Sequence, residues 1–266
     1  MAKYSVIINN ANTHMQCFEE IAESIHQCLL ELGHESSRTP IPGHRWVYFG
    51  AHVDSGVVIP PDAILYQAEQ LGSAWFNYDY RNLLQHHRTW HFSEMSVDRV
   101  QGLGGSCAHV PPAWHQCLRR IDSMPEPPID VLFYGSSSVL REATFASMRA
   151  VGLNVLNVFG VYGEPRDELI RQAKIVLNIP YYPGSSFEMA RVGYCLNNRK
   201  CVVADRVSDA NWLLDGVVFT SYPELARMCR LFARNSAMRS GIAARGYEIY
   251  RSRPMIAYVA NALESE

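Results

Sequence analysis

Two hydrophobic periods take turns along this chain. Short β-branched runs read as buried strands. The segments after them carry apolar residues every three or four positions, the spacing of a helix that buries one face. The first run is Tyr4–Asn9, and the polar stretch Asn10–His14 behind it reads as a turn. Phe18, Ile21, Ile25, Cys28, Leu29 and Leu32 then fall at helical spacing, with Gly33 as a C-terminal stop. Strand, loop and helix in that order open a doubly wound sheet. Trp46–Phe49, Ala63–Tyr66, Thr89–Ser93 and Ala108–Val110 are predicted as further strands. Polar or small clusters, Gly50-Ala51-His52 and Gln67-Ala68-Glu69-Gln70, follow two of them. Open parallel sheets bind ligands beyond the carboxyl ends of their strands, so chemistry is expected in such clusters.

A proline-rich stretch at 122–129 reads as a linker. Beyond it a second α/β series begins. Strands are predicted at Ile129–Tyr134, Val155–Phe159, Ile175–Ile179, Cys201–Ala204 and Gly216–Thr220. Helices are predicted after Gly135–Ser138, over Arg166–Ala173 and Phe187–Leu196, twice between Pro223 and Arg251, and over Met255–Leu263. The fold class expected is α/β, a compact pair of Rossmann-like domains facing across a cleft. The first domain would span 1–122 and the second 129–253, with the last helix, 254–266, packing back on the first.

Composition changes this picture little. Hydrophobic residues make up 48% of the 266 and charged residues 19%, with a formal net charge of -2, an ordinary globular balance. Seven cysteines without a C-x-x-C pair point to reduced thiols rather than a disulfide framework or thiolate zinc site. The chain opens directly on a strand-like run, without the pattern of a secretory leader, and no apolar run has membrane-spanning length. A cytoplasmic protein is expected. The charge is uneven: residues 1–129 carry 8 Lys+Arg against 13 Asp+Glu, and residues 130–266 carry 16 against 13. All ten histidines lie at or before His115, so the two halves should have different tasks.

The most informative stretch runs from Ile175 to Asp205, where a strand ends in Pro-Gly-Ser185-Ser186 and a helix starts near Phe187. A helix N-terminus offers unpaired amides and a positive dipole end to a pyrophosphate. Glu188 in the first turn would either cap that helix or accept two hydrogen bonds from a ribose diol. Arg191, three residues on, would pair with Glu188 or meet a phosphate. Ser136, Ser137 and Ser138, with Arg141 one turn later, form either a serine-rich helix cap or a phosphate-binding loop. Tyr162, Gly163 and Glu164 follow another strand.

Two motifs carry a resemblance. Phe187-Glu188, Arg191, Tyr194, Leu196, Asn198 and Lys200 follow an F-E-x-x-R-x-x-Y-x-L-x-N-x-K pattern. Upstream runs Asn157-Val-Phe-Gly-Val-Tyr-Gly-Glu-Pro-Arg-Asp167. The first resembles the donor-binding element of GT-B glycosyltransferases, and together they are especially similar to bacterial CgeB-like glycosyltransferases. The resemblance extends over nearly the whole chain and is strongest in 130–205. It implies a nucleotide-sugar substrate, a UDP-sugar slightly favoured, with Glu188 on the ribose. Ser136–Ser138, Arg141 and Arg191 would hold the diphosphate, and the base would lie near Tyr162–Glu164, where a helix-capping turn is the competing reading. Many GT-B enzymes carry a second Glu seven residues before the ribose Glu, and here that position is Tyr181.

In the first half, Asn12, Thr13 and His14 occupy the first strand–helix loop, which faces the acceptor side in GT-B folds. His14, His52 and Glu69 are rival candidates for the base that receives the acceptor proton, each with a structural role as the competing reading. His86, His87 and His91 lack partner ligands at metal spacing. There is no D-x-D element, so metal-independent transfer is expected, with arginines and helix ends neutralising the leaving diphosphate and no cofactor. Neither G-x-G-x-x-G after the first strand nor a P-loop occurs, which disfavours dinucleotide and nucleoside-triphosphate enzymes. The stretch Arg227, Arg230, Arg234, Arg239, Arg245, Arg251 and Arg253 is either a solvated helix face or a contact for an anionic partner. That partner would be a membrane surface or nucleic acid, and because some enzymes of the resembled fold glycosylate modified DNA bases, nucleic acid is a candidate acceptor, though not the favoured one. The alternative overall is a catalytically degenerate protein of this fold that binds a nucleotide or a partner. Oligomeric state is left open.

Overall fold

The computed structural model describes residues 1–69, 74–181, 187–206 and 208–265, apart from the side chains of Met95, Ser208 and Asp209. The chain divides into two compact units: unit 1 is Met1–Cys117 with Pro254–Glu266, and unit 2 is Leu118–Arg253.

Unit 1 is built on six strands: β1 (Lys3–Ile8), β2 (Glu35–Ser37), β3 (Arg45–Phe49), β4 (Ile64–Gln67), β5 (Arg88–His91) and β6 (Cys107–His109). They pair in the order β2-β1-β3-β4-β5-β6, every pair parallel. Strand residues alternate between two apolar faces. Val47, Phe49, Ile64 and Tyr66 pack into one core, while Tyr48 and Leu65, one position over, pack into the other. Helix α1 (Glu19–Glu31) covers the first face with Ile21, Ile25, Cys28 and Leu29, joined by Val259 and Ala262 of the last helix. Helix α2 (Tyr78–His86) covers the opposite face with Tyr80 and Leu84, and α3 (Glu94–Gly102) with Val100.

Unit 2 has five strands: β7 (Ile129–Tyr134), β8 (Val155–Val158), β9 (Ala173–Asn178), β10 (Cys201–Asp205) and β11 (Val218–Thr220). Their order is β11-β10-β9-β7-β8, again all parallel. Helices α4 (Val139–Ala150), α5 (Gly163–Arg171), α6 (Met189–Asn197), α7 (Leu225–Arg234) and α8 (Ser236–Arg251) complete it. Val131, Phe133, Ile175, Leu177 and Val203 share one core with Phe145 and Met148 of α4, Cys229 and Phe232 of α7 and Ile242 of α8.

Helix α9 (Met255–Glu264) belongs to unit 1. Its first amide, Met255 N, donates to the Trp114 carbonyl at 2.8 Å. At its far end Arg88 Nη2 donates to the Ala262 carbonyl at 2.7 Å, a cation at the negative end of the helix. None of the described helices is long and apolar enough to cross a membrane.

Three elements escape the hydrophobic pattern. β2 is a three-residue polar edge strand, while α2 and α3 are nine-residue helices with few apolar positions. The predicted turn at Asn10–His14 instead leads into a 3₁₀ segment over Thr13–Phe18, because Asn12 Oδ1 accepts the His14 amide at 2.9 Å and caps it.

His91 ends β5 fully buried, and its Nδ1 accepts the Ser93 amide at 3.0 Å. Burial, helped by neighbouring His109, pushes its imidazole down to about 3. The folded state therefore binds this proton less readily than the unfolded chain. The resulting stability is fully present above about pH 6.5 and falls as the pH drops towards 3. By pH 4 the loss should reach about 3 kcal/mol from this ring. Thermal unfolding followed between pH 7 and 4 should show a falling midpoint, with a shallower fall in His91→Gln. An equally steep profile in that variant would remove His91 as the cause.

Candidate functional site

At the carboxyl end of the second sheet, two arginines from distant segments converge. β7 ends at Tyr134, and a Cβ on the next residue, Gly135, would stand 2.8 Å from Arg191 Nη2. The bare backbone is what lets that guanidinium lie against the strand end. Ser138 caps α4, its Oγ accepting the Arg141 amide at 3.3 Å, and Ser137 Oγ donates to Glu142 at 2.5 Å. Arg141 turns inward and is 1% exposed. Its Nε and Nη2 donate to the Ile179 carbonyl at 3.2 and 2.5 Å, and Nη1 donates to Ser136 O at 2.7 Å. It thereby stitches the loop after β7 to the loop after β9. Arg191, from α6, donates through Nε to Tyr134 O at 3.1 Å and through Nη1 to Asn178 Oδ1 at 2.7 Å. Both guanidinium groups lie over the Phe133 ring, at 4.8 and 5.1 Å from its centre.

Glu188 stands between them. Its Oε1 is 3.8 Å from Arg141 Nη2 and its Oε2 3.4 Å from Arg191 Nη2. It holds the N-cap position of α6 but makes no side-chain capping bond, so the carboxylate serves the arginines and not the helix it opens. Two cations against one carboxylate leave a net positive charge. Burial, with the Arg191 charge beside it, pushes the Arg141 guanidinium down to about 10, still charged at neutral pH. This is the electrostatics of an anion site at a strand end. Ser185 and Ser186, also candidates, lie outside the described residues.

The remaining motif residues hold the frame. Phe187 is buried with its ring 5.5 Å from that of Phe219. Tyr194 donates to Asp167 Oδ2 at 2.8 Å. Arg166 donates to Asp167 Oδ1 at 2.7 Å and lies 4.5 Å over the Tyr194 ring. This buried staple ties α6 to α5, which starts at the third candidate loop. There Tyr162 holds the N-cap position without a side-chain capping bond, Gly163 has φ 59° and Glu164 is exposed. Asn198 makes four hydrogen bonds: Nδ2 donates to Leu118 O and Tyr194 O, and Oδ1 accepts the amides of Arg120 and Ile121. Residues 118–121 thus belong to unit 2, and the division between units precedes the proline-rich stretch. Buried Lys200 donates to Arg171 O at 3.3 Å, and burial pushes its ammonium down to about 8.

In unit 1, Asn9 Nδ2 donates to Gly50 O at 2.9 Å and Val53 O at 2.7 Å, fixing the loop after β1 to the loop after β3. Gly50 has φ 82°, and a Cβ there would stand 2.9 Å from Asn9 Cβ, so only glycine fits. His52 and Glu69 are brought together, with His52 Nε2 3.4 Å from Glu69 Oε1. The His52 ring sits among Phe18, Trp75 and Tyr80 at 6.3, 5.6 and 5.8 Å. Burial pushes it down to about 4, so this contact joins a neutral ring to a carboxylate. Gln67 braces Glu69, accepting its amide at 3.0 Å and donating to its carbonyl at 3.0 Å. Thr13 and His14 are exposed on the 3₁₀ segment.

No family profile matches the sequence, and no curated protein matches it. Solved structures do match, along the whole chain. T4 phage BGT in complex with its UDP-glucose substrate is 12% identical, with a TM-score of 0.62 over 100% of this chain and 98% of that one. Anabaena Alr3699/HepE in complex with UDP and glucose is 12% identical, with a TM-score of 0.64 and full coverage of both chains. Sucrose-phosphate synthase from Thermosynechococcus elongatus is 9% identical, with a TM-score of 0.58 over 100% and 98%. The fold is GT-B.

In this GT-B chain the position of the second Glu is held by Tyr181, which is 39% exposed with its ring centre 5.2 Å from the Arg141 guanidinium. Sequence reasoning missed Asn9 and Asn178. Both share a readable signal, a polar side chain closing an otherwise apolar strand. At least six of the seven C-terminal arginines are engaged within unit 2, Arg234 through its charge beside Asp130. Arg227 pairs with Glu224 and Arg251 with Glu248. Arg239 and Arg245 donate to backbone carbonyls, and Arg253 stacks on Trp212. His86 and His87 bond through Nδ1 to carbonyls of their own helix, at 2.8 and 3.0 Å.

Asn198→Ala would strand the two amides of residues 120 and 121 in a partly buried position. A loss of about 2–3 kcal/mol is expected in denaturant unfolding. A change under about 0.5 kcal/mol would show that the four bonds do not carry the junction.

Proposed function

We propose that the protein is a metal-independent glycosyltransferase that binds a nucleotide-sugar, a UDP-sugar by preference, on unit 2. The observation that carries this reading is the Arg141–Glu188–Arg191 triad beside the start of α6. A diphosphate meets there an uncompensated positive charge and the amide end of a helix. The contacts of Glu188 with the arginines, at 3.4 and 3.8 Å, are longer than the 2.7–2.9 Å or so of a tight charged hydrogen bond. Glu188 stands where phosphate oxygens would gain most. Displaced from the arginines, its carboxylate becomes free to accept both hydroxyls of a ribose. Its side chain is 29% exposed against 2% and 10% for the two arginines, so it is the member of the triad most open to a ligand. The resemblance of this helix to that of CgeB-like enzymes supports the same assignment.

In the transfer, the acceptor oxygen forms a bond to the anomeric carbon as the bond from that carbon to the diphosphate oxygen breaks. The electron pair leaves with the diphosphate, whose charge the two arginines meet. The acceptor proton needs a base, and the candidates for it are His14, His52 and Glu69, of which His52 and Glu69 stand together with Nε2 3.4 Å from Oε1. Tyr181, in place of the sugar-contacting Glu, motivates the second reading, a protein that binds a nucleotide without transfer.

Glu188→Ala should leave the thermal midpoint within a few degrees of the parent. It should weaken UDP binding about 100-fold in calorimetry, the worth of two hydrogen bonds to a charged acceptor, and abolish sugar transfer from UDP-glucose. Unchanged turnover would reject the ribose assignment. UDP binding without transfer or donor hydrolysis in the parent would favour the second reading.

A further inference from the structure

Residues 222–253 carry seven arginines against two glutamates, with no lysine or aspartate, in a chain whose formal net charge is -2. The other residues hold 17 Lys+Arg against 24 Asp+Glu, so this block is the positive pole of an otherwise acidic chain. Helix α7 within it is two-sided. Leu225, Cys229, Phe232 and Ala233 are buried. Arg227, Arg230, Leu231 and Arg234 are exposed and fall at three- and four-residue steps, one stripe along the outer face. Leu231 is 40% exposed in the midst of these arginines, and Met238, at the start of α8, is 40% exposed too. The Asn235 amide donates to the Leu231 carbonyl at 3.1 Å, and Asn235 Oδ1 accepts the Met238 amide at 3.0 Å. Both apolar residues thus hang on the one-residue corner between α7 and α8. Arg239 locks that corner, donating to the Phe232 and Ala233 carbonyls at 2.9 and 3.2 Å.

Internal needs do not account for the stripe. A helix dipole draws cations to the last turn, which explains Arg234 but leaves Arg227, in the first turn, against the field. Arg227 pairs with Glu224, yet the two side chains are 68% and 46% exposed, and an ion pair so open to water contributes little. Arg230 makes no ion pair among the described residues.

We infer that the outer face of α7, with the corner to α8, is a docking surface for an anionic lipid bilayer. Lipid phosphates meet Arg227, Arg230 and Arg234, while Leu231 and Met238 reach the boundary between headgroups and acyl chains. Apolar side chains set among arginines suit that boundary, where charge and hydrocarbon adjoin. The phosphates of a nucleic acid would satisfy the arginines but leave Leu231 and Met238 in water, so the lipid surface is the better match. Screening keeps the contact local. At physiological salt a charge acts over roughly 8 Å, so the stripe is drawn to an anionic surface although the chain as a whole is acidic. The contact is peripheral, and it does not rest on the transferase reading above.

Cosedimentation of the full chain with lipid vesicles tests the inference. Vesicles of phosphatidylglycerol and phosphatidylcholine in equal parts should bind the protein, and vesicles of phosphatidylcholine alone should not. Arg227→Gln/Arg230→Gln/Arg234→Gln should weaken binding about 100-fold, each arginine at the surface being worth a factor of about five. Leu231→Ser/Met238→Ser should weaken it about tenfold with the charge unchanged. Lys3→Gln/Arg81→Gln/Arg99→Gln, the same loss of charge from exposed positions of unit 1, should bind as the parent does. Raising the salt from about 0.1 to 0.5 M should release the parent, a check on the charge contact that needs no variant. No binding to the anionic vesicles, equal binding to the neutral ones, or binding indifferent to salt would overturn the inference. So would full binding by the arginine triple or the apolar double, or an equal loss in the unit 1 variant. A short DNA duplex bound more tightly than the vesicles through the same arginines would overturn it as well.

Discussion

Two guanidinium groups are held at the end of a buried sheet by carbonyl and amide oxygens, with a single carboxylate between them. This arrangement governs what unit 2 can do. Burying a cation is costly, and Arg141 offsets the cost by donating to Ile179 and Ser136 while stacking on Phe133. The donors of Arg191 go to Tyr134 and Asn178. Glu188 then supplies one negative charge at a few ångströms. The bare Coulomb attraction of such a pair is about 4 kcal/mol at an effective dielectric of 20, before the cost of desolvating both groups. That holds Glu188 in place when nothing else is there. In the proposed function, a diphosphate, which carries more than one negative charge over several oxygens, competes with this one carboxylate for the same two cations.

Strands β1, β3, β4 and β7 to β11 were legible because each carries Val, Ile, Leu or Phe in a short run. β7 is bounded in the structure as its sequence predicts, Ile129–Tyr134. α2 and α3 were not legible. Helix YDYRNLLQH presents Tyr80 and Leu84 to the core, too few apolar positions for a period to show. In the site, Glu188 stood out because it opens a helix after a strand. What holds it did not, since Arg141 reaches it through tertiary folding and not through spacing. In the sequence Arg141 reads as a phosphate contact one turn after Ser136–Ser138. In the fold it is nearly fully buried and joins two loops, so its charge reaches a ligand as a field more than as a row of open donors. The motif Tyr194-x-Leu196-x-Asn198-x-Lys200 reads as a family signature. Physically it is a set of internal fastenings to Asp167, to the 118–121 segment and to the Arg171 carbonyl.

Unit 1 solves a different problem. Two of its histidines are held as neutral rings: burial keeps His52 and His91 below their usual range. A buried neutral imidazole keeps an open lone pair across the physiological range, which a surface histidine does not. The bonds from Asn9 to Gly50 and Val53 keep the His52 loop in register with the end of β1. The His52 loop is thereby placed by a backbone clamp that contains no charged group.

Helix α9 returns to the first unit after the second has been completed. Unit 2 is one uninterrupted segment and can close its sheet as soon as its own residues have been synthesised. Unit 1 cannot, because the face of α1 that packs on Val259 and Ala262 stays uncovered until the last helix arrives. During translation the earlier-made half therefore stays partly bare until the later-made half has been synthesised.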